Sequence, residues 1–403
     1  MTIHYVFTLL FWTCIFVILY SYILYGIVLY IFIFLKNNVF LNNSFQQNEP
    51  SFISNKQAHL DLTLVVAAYN EADYIAPKIA NSLALEYPVG QLHFLFVTDG
   101  STDNTPDIVR QYPQIQLCHL PERKGKIAAV ERIMPLINTP ITVFTDANTF
   151  LNSDALLQIV RHYANPQVGA VAGEKRIAQS NRDAANAAGE GLYWQYESLL
   201  KKWDWELYSV VGAAGELFSI RTHLYQPVPP DTIIEDFYLT LGIAQRGYRV
   251  AYEPQAYAVE QASASVAEEM KRKIRIAAGG LQAIIRLYPL LNPFRYGILS
   301  FQYISHRVLR WTLAPLALPL VFILNLVLAQ NSLFYQVLFV LQCAFYAAAL
   351  AGYLLESRRL RLKIFFIPYY FCMMNYAVYR GAWRMLRGSQ SVVWEKAKRA
   401  TAP

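Results

Sequence analysis

LTLVVAAYN, Leu62 to Asn70, is an unbroken apolar run that stops abruptly at Tyr69, Asn70 and Glu71. A strand buried on both faces, as in a parallel sheet, reads as a continuous hydrophobic run rather than an alternating one. The pattern returns at LHFLFV (Leu92 to Val97), closed by Asp99, and at IQLCHL (Ile115 to Leu120). It returns again at ITVFT (Ile141 to Thr145), closed by Asp146, and at VGAVAG (Val168 to Gly173). Helical stretches fall between: one to about Leu85, one opened by the cap and first-turn pair Thr105-Pro106, Gly125 to Ile137, and Ser153 to Ala164. Strands alternating with helices predict an α/β domain built on a doubly wound, mostly parallel sheet.

Such sheets bind ligands beyond the carboxyl ends of their strands. Tyr69, Asn70 and Glu71 follow the first strand, Asp99 the second, and Asp146 and Asn148 the fourth. One Asp at a strand end is ordinary turn chemistry. Carboxylates at three strand ends on one edge, beside the cationic loop ERKGK (Glu122 to Lys126), suit a metal-bridged diphosphate better than a solvated loop. In VFTDANT (Val143 to Thr149) two readings stand: a metal site with an amide as its second ligand, or a turn that happens to hold Asp and Asn.

The 403 residues are 55% hydrophobic and 16% charged, which is too apolar for an ordinary soluble protein. Ile3 to Leu35 contains no Lys, Arg, Asp or Glu and exceeds the ~20 residues of a spanning helix. With its first basic residue, Lys36, after the run, it reads as an uncleaved anchor whose carboxyl end faces the cytoplasm. Trp311 to Ala329 and Leu333 to Leu355 are further candidate spans, and SRRLRLK (Ser357 to Lys363) suits the inner side. Ile364 to Tyr379 is short for a span and is followed by Arg380, Arg384, Arg387 and WEKAKR. It reads either as a short, re-entrant or interfacial segment or as a fourth span.

The net charge of +7 fits a membrane protein with basic cytoplasmic flanks, and no nucleic-acid partner is expected. The cysteines, Cys14, Cys118, Cys343 and Cys372, form no CxxC pair, and the histidines show no HExxH or HxH spacing. The predicted organisation is an anchor (1–36), a linker (37–60), the α/β domain (61–262), amphipathic interfacial helices (263–310), transmembrane segments (311–380) and a basic cytoplasmic tail (381–403). Within 263–310, Val266, Met270, Ile274, Leu281 and Ile285 recur at helical spacing, with Lys271, Arg272, Lys273 and Arg275 largely on other faces.

The chain resembles the membrane-anchored family 2 glycosyltransferases, the group containing cellulose synthase, hyaluronan synthase and poly-N-acetylglucosamine synthase. The resemblance runs through VVAAYNEA (65–72), VTDGSTDNT (97–105), RKGKIAAV (123–130), VFTDANT, VGAVAGE (168–174), GAAGELFSIR (212–221), IIEDFYL (233–239), KRKIRIAAGGLQ (271–282), SHRVLRW (305–311) and SVVWEKAKR (391–399). It implies a GT-A type fold and an inverting enzyme of a bacterial inner membrane, multi-pass, with the catalytic domain cytoplasmic. The partners it implies are a nucleotide-sugar, a lipid-linked or carbohydrate acceptor, and membrane lipids.

The resemblance also implies roles. Tyr69, Glu71 and Asp99 would meet the nucleoside, Lys126 the diphosphate, and Asp146 the ribose and a Mg²⁺ or Mn²⁺ ion, with Asn148 in the usual seat of a second metal carboxylate. Asp236 would be the general base, and Glu235, Arg272 and Arg275 would serve the acceptor or diphosphate. Glu235 should point away from Asp236 if the segment is helical. UDP is implied over GDP by the resemblance alone. Two departures matter: Asn148 is neutral, and the Gln-any-any-Arg-Trp signature of processive members has Ile276 where the Trp belongs. The aromatics Tyr193, Trp194, Tyr196, Trp203 and Trp205 offer other sugar platforms, with core packing or membrane contact expected for most. Two versions of the enzyme stand, a polymer synthase and a single-sugar transferase to a lipid carrier. A non-catalytic nucleotide-sugar-sensing subunit of a secretion complex is the rival from another class.

Overall fold

The computed structural model describes residues 2–40, 60–178, 184–261, 263, 265–330, 332–357 and 362–390. Most of the expected linker, the basic stretch after Ser357 and the WEKAKR tail lie outside the described residues. The strands are β1 (Leu62–Ala68), β2 (Leu92–Asp99), β3 (Ile115–Leu120), β4 (Ile141–Asp146), β5 (Thr149–Leu151), β6 (Val168–Ile177), β7 (Leu217–Arg221) and β8 (Arg249–Glu260). The helices are α1 (Thr2–Leu19), α2 (Tyr25–Leu35), α3 (Ala72–Leu83), α4 (Thr105–Arg110), α5 (Lys126–Ile133), α6 (Ala155–Arg161), α7 (Ala184–Leu207) and α8 (Glu235–Gln245). They continue as α9 (Val266–Arg286), α10 (Pro293–Tyr296), α11 (Ile298–Tyr303), α12 (Leu309–Trp311), α13 (Leu313–Leu328), α14 (Leu333–Ser357) and α15 (Lys363–Leu386).

Among the described residues the sheet has eight strands, in the order β3-β2-β1-β4-β7-β6-β8-β5. Pairs β1–β2, β2–β3, β1–β4 and β6–β8 are parallel, whereas β7 runs antiparallel to β4 and β6, and β5 antiparallel to β8. The apolar run of β1 is explained by burial on both faces. Leu62, Leu64 and Val66 enter one core with Ile75, Ile79 and Phe96, while Val65 enters the opposite core with Leu95, Phe144 and Phe218. Each such side chain contributes about 1.5–3 kcal/mol of burial free energy.

Thr105 opens α4 as a helical residue after the cap position Asn104, and the two later helices end in short 3-10 turns at Met134–Leu136 and His162–Ala164. The antiparallel direction of β7 shapes the rim of the sheet. Its first residue lies at the edge where β1, β2 and β4 end, so residues just before β7 reach the same rim as Asp146.

Among the described residues two helices are long and apolar enough to cross a membrane, His4–Asn38 and Leu333–Glu356. The span expected at Trp311 to Ala329 is the second half of a broken pair, Ile298–Trp311 and Leu313–Leu328, bent by 51°. The break falls at Thr312, just ahead of Pro315 at the start of α13, where proline's missing amide is tolerated. The last apolar segment is a continuous 24-residue helix, α15, with Pro368 inside and Arg384 in its last turn. It packs against α9 and α14 at glycines: a Cβ on Gly381 would stand 2.7 Å from the Ala278 amide, and one on Gly352 would stand 2.3 Å from the Phe365 carbonyl. Small residues let helix backbones approach this closely.

Candidate active site

The carboxyl edge of the sheet gathers the expected residues in two groups. The first surrounds Asp99, at the end of β2. Its Oδ2 accepts from the amides of Lys124 (2.9 Å) and Gly125 (2.6 Å), and Arg132 lies 3.7 Å from Oδ1. Asp99 thereby fixes the loop that opens α5. Gly125 at φ +93° makes the turn, and a Cβ on Gly100 would collide with the Arg123 backbone at 2.7 Å. Arg123 stacks on the Tyr69 ring at 3.6 Å from its centroid, and Glu71, nearly buried, stands at the cap of α3 with its amide on Thr105 Oγ1 (2.9 Å).

The loop aims Lys126 into the second group. Its Nζ lies 2.9 Å from Asp146 Oδ1 and 3.0 Å from Glu235 Oε1. A Cβ on Gly215 would stand 3.3 Å from both Lys126 Nζ and Asp236 Oδ2, so these side chains converge on a glycine. Glu235 and Asp236 both line the same cavity. This corrects the expectation that Glu235 points elsewhere. The two are the first residues of α8, where the chain is only entering the helix, and Lys126 holds the Glu235 carboxylate inward.

The charges are unequal. Burial and the neighbouring Glu235 push the Asp236 carboxyl up to about 7, against the pull of Lys126 and the Phe237 amide. Burial also raises Asp146, with Lys126 offsetting part of the rise. For Glu235, burial is outweighed by Lys126 and Arg275, which hold it below its ordinary value. Lys126 stays firmly cationic: burial would lower it, but Asp146, Glu235 and Asp236 hold it above the usual lysine range. Two adjacent carboxyls whose environments drive them apart are the usual mark of divided acid–base roles.

The cavity, of about 530 Å³, extends well beyond these groups. Glu216, just ahead of β7, and Glu260, at the end of β8, line it and share the buried Lys175. Arg272 bonds Glu260 at 3.3 Å, and Arg275 donates to the Ile233 carbonyl at 3.1 Å. Of the cations on α9, Lys271 alone is largely exposed; Arg272, Lys273 and Arg275 turn into the cavity, where Glu260 and Glu269 compensate the first two. A basic outer face on α9 is therefore not what forms. Trp194 and Trp311 also line the cavity, whereas Tyr196 and Trp203 pack on the first membrane helix at Gly26, and Trp205 joins the core. The side chain of Tyr193 lies outside the described residues. The far wall is Tyr22 with Ile367, Tyr370, Phe371, Met374 and Val378 of α15.

Asn148 is 8% exposed and is not among the residues that line the cavity. Among the described residues no group of three His, Cys, Asp or Glu forms a metal cage. Asp146 in the cavity still suits a Mg²⁺-type cation, because such ions are commonly held by one or two carboxylates plus substrate phosphates.

Residues 63–226 match the family model described as glycosyl transferase family 2. The match lies within the α/β domain, from β1 to just past β7, and the fold is of the GT-A type. Among curated relatives, it is similar to poly-beta-1,6-N-acetyl-D-glucosamine synthase of Staphylococcus aureus (strain MSSA476), 27% identical over 235 residues, covering 56% of each chain. The protein of the same name from Staphylococcus epidermidis is 24% identical over the same share. The chain thus spans about half the length of the curated relatives it matches. Among solved structures, a mannosyltransferase from Pyrobaculum calidifontis, in complex with GDP-Man and Mn²⁺, superposes with TM-score 0.69 at 21% identity. That likeness covers 95% of this chain and 100% of that one, which carries the fold across nearly the whole length.

Proposed function

We propose that this protein is an inverting glycosyltransferase that moves a sugar from a UDP-linked donor to an acceptor hydroxyl at the membrane, in polysaccharide or glycoconjugate synthesis. The observation that carries this reading is the single cavity joining Lys126, Asp146, Glu235 and Asp236 to the apolar wall of α15. The nucleoside would lie over Tyr69, Glu71 and Asp99, with the diphosphate directed at Lys126. A Mg²⁺ or Mn²⁺ ion held by Asp146 and diphosphate oxygens would supply Lewis acidity for the leaving group. Lys126 adds fixed positive charge where negative charge develops. Arg272 and Arg275 flank the same space.

Asp236 takes the proton. The acceptor oxygen forms its bond to the anomeric carbon as the carbon–oxygen bond to the diphosphate breaks, and the hydroxyl proton passes to Asp236. General base assistance of this kind is worth roughly 10²–10⁴-fold. A pKa of about 7 suits it, because a base works best near the operating pH. One displacement inverts the centre, so an α-linked donor gives a β product. Trp194 and Trp311, in place of a Trp at 276, offer the acceptor sugar an aromatic face. The protein would be a multi-pass one of a bacterial inner membrane with its catalytic domain on the cytoplasmic side; the two long apolar helices support the membrane part of that reading.

The test is nucleoside diphosphate release by detergent-purified protein over a panel of UDP- and GDP-sugars, with and without Mg²⁺ or Mn²⁺, with lipid extract and oligosaccharides as acceptors. Turnover with one donor, dependent on metal and lost in Asp236→Asn, supports the proposal, and sizing the product separates polymer from single transfer. Donor binding with equal background release from both proteins would favour a nucleotide-sugar-sensing subunit instead.

A further inference from the structure

Glu197, Lys201 and Asp204 follow one another along α7 at four- and three-residue steps, so they share a face. All are nearly buried at the junction between the catalytic domain and the membrane helices. The two carboxylates are fully engaged. Glu197 meets His306 Nε2 (3.2 Å), Arg307 (2.6 Å) and Arg310 (3.0 Å). Asp204 accepts from Tyr25 (2.5 Å) and Gln302 (3.2 Å) and faces His306 Nδ1 (2.5 Å).

Lys201, between them, is different. It is 4% exposed and lines the cavity, yet among the described residues its Nζ has no hydrogen-bond acceptor and no carboxylate partner. Its Nζ stands 5.7 Å from the Tyr252 ring centroid. Nearby carboxylates are committed elsewhere: Glu174 to Ser198 and Tyr252, Glu216 to Lys175, and Glu260 to Lys175 and Arg272. The Lys201 side chain thus lines the cavity with no carboxylate of its own among the described residues, so a ligand that brings negative charge is favoured there.

The rest of the lining says what kind of ligand. Beside the reacting carboxylates the cavity presents Lys201, Lys273 and Arg307, and beyond them the apolar side chains of α15. A molecule with a phosphate head and a hydrocarbon tail satisfies both ends at once. We propose that Lys201 binds the phosphate of a lipid-linked acceptor, whose chain lies along Ile367, Tyr370, Phe371 and Met374. The assignment rests on the reading of this cavity as the acceptor chamber of a glycosyltransferase, and it names the acceptor class. Lys201 is an acceptor-binding residue, separate from the proton transfer at Asp236.

Binding rather than turnover tests it. Detergent-purified wild type, Lys201→Met and Lys201→Gln are titrated with farnesyl phosphate, farnesol, inorganic phosphate and UDP with Mn²⁺, and affinity is read from the shift in melting temperature. Wild type should bind farnesyl phosphate and ignore farnesol and inorganic phosphate. Both variants should lose at least tenfold in farnesyl phosphate affinity while melting normally without ligand and binding UDP as wild type does. Unchanged farnesyl phosphate affinity in the variants would overturn the proposal. So would a parallel loss of UDP affinity, which would put Lys201 in the donor site, or equal binding of inorganic phosphate, which would remove the lipid. If wild type fails to bind UDP, the glycosyltransferase reading fails, while the farnesyl phosphate titration still reports on Lys201.

Discussion

Replacing Asp236 by Asn should cut turnover steeply and stabilise the protein, by an amount that grows with pH. The folded-state pKa of Asp236 is about 7, against an ordinary value of 3.8. The folded protein therefore binds more protons than the unfolded chain between about pH 4 and pH 7, so wild-type stability falls as pH rises through that window. An Asn is neutral throughout and carries no such dependence. From the two pKa values, the advantage of the variant should increase by about 3 kcal/mol between pH 5 and pH 8. For a unit of this size that is a widening in melting temperature of roughly 6–12 °C. Turnover should drop by about 10²–10⁴-fold. The assay is fluorescence-detected melting of both proteins at pH 5 and pH 8, beside nucleoside diphosphate release. Lys78 does not confound it, because its ionisation cancels in the difference between variants. A gap that stays flat with pH, or a variant retaining a tenth of wild-type turnover, would refute the reasoning: Asp236 would then be neither strained nor the base.

Other expectations concern its neighbours. Glu235→Gln removes the like charge beside Asp236, so the acid limb of the pH–rate profile should move to lower pH; a limb that stays or rises would contradict the arrangement. Gly215→Ala places a methyl 3.3 Å from both Lys126 Nζ and Asp236 Oδ2, and should lower kcat more than it alters UDP binding by calorimetry. Lys78 is fully buried behind Asp146, donating to Thr145 Oγ1 (3.1 Å) and the Thr149 carbonyl (2.7 Å), and burial pulls it down to about 7 against the attraction of Asp146. Lys78→Met should cost about 1–3 kcal/mol through the partners left unpaired and raise the donor KM, measurable by denaturant unfolding and initial rates.

The first half of the sheet was legible because β1, β2 and β4 are buried on both faces and so are written as unbroken apolar runs. The strand-end residues Asp99 and Asp146 followed from topology. β7 and β8 were not legible as strands. β7 is five residues inside a Gly-Ala-rich stretch, and β8 mixes exposed residues and Pro254 into its pattern. Missing β7 concealed Glu216, whose place at the rim depends on that strand running backwards. Lys175, Glu197, Lys201 and His306 carried no local signal, since each matters only through long-range neighbours. The charges of α9 were read as an outer face because helical periodicity says which residues share a side, but not which side has carboxylates waiting. The Asp103 carboxylate, which accepts from the amides of Ala72 and Thr105, escaped notice for the same reason.

The glycine contacts of α9 have a practical side. Gly279 leaves room for Ile234, the residue before Glu235; Gly280 receives the Trp311 ring, at 2.4 Å from a notional Cβ; and Ala278 meets Gly381 of α15. One helix thus packs against α15 and Trp311 on one side and lines the cavity on the other. A fragment cut to residues 60–297, without the His4–Asn38 helix, would lose Trp311 and α15 together. It would keep its sheet and the donor-side loop, but its chamber would stand open on one side. Biochemistry on such a fragment would report nucleotide binding and little transfer, so detergent or nanodisc preparations of the whole chain are the form in which its chemistry should be sought.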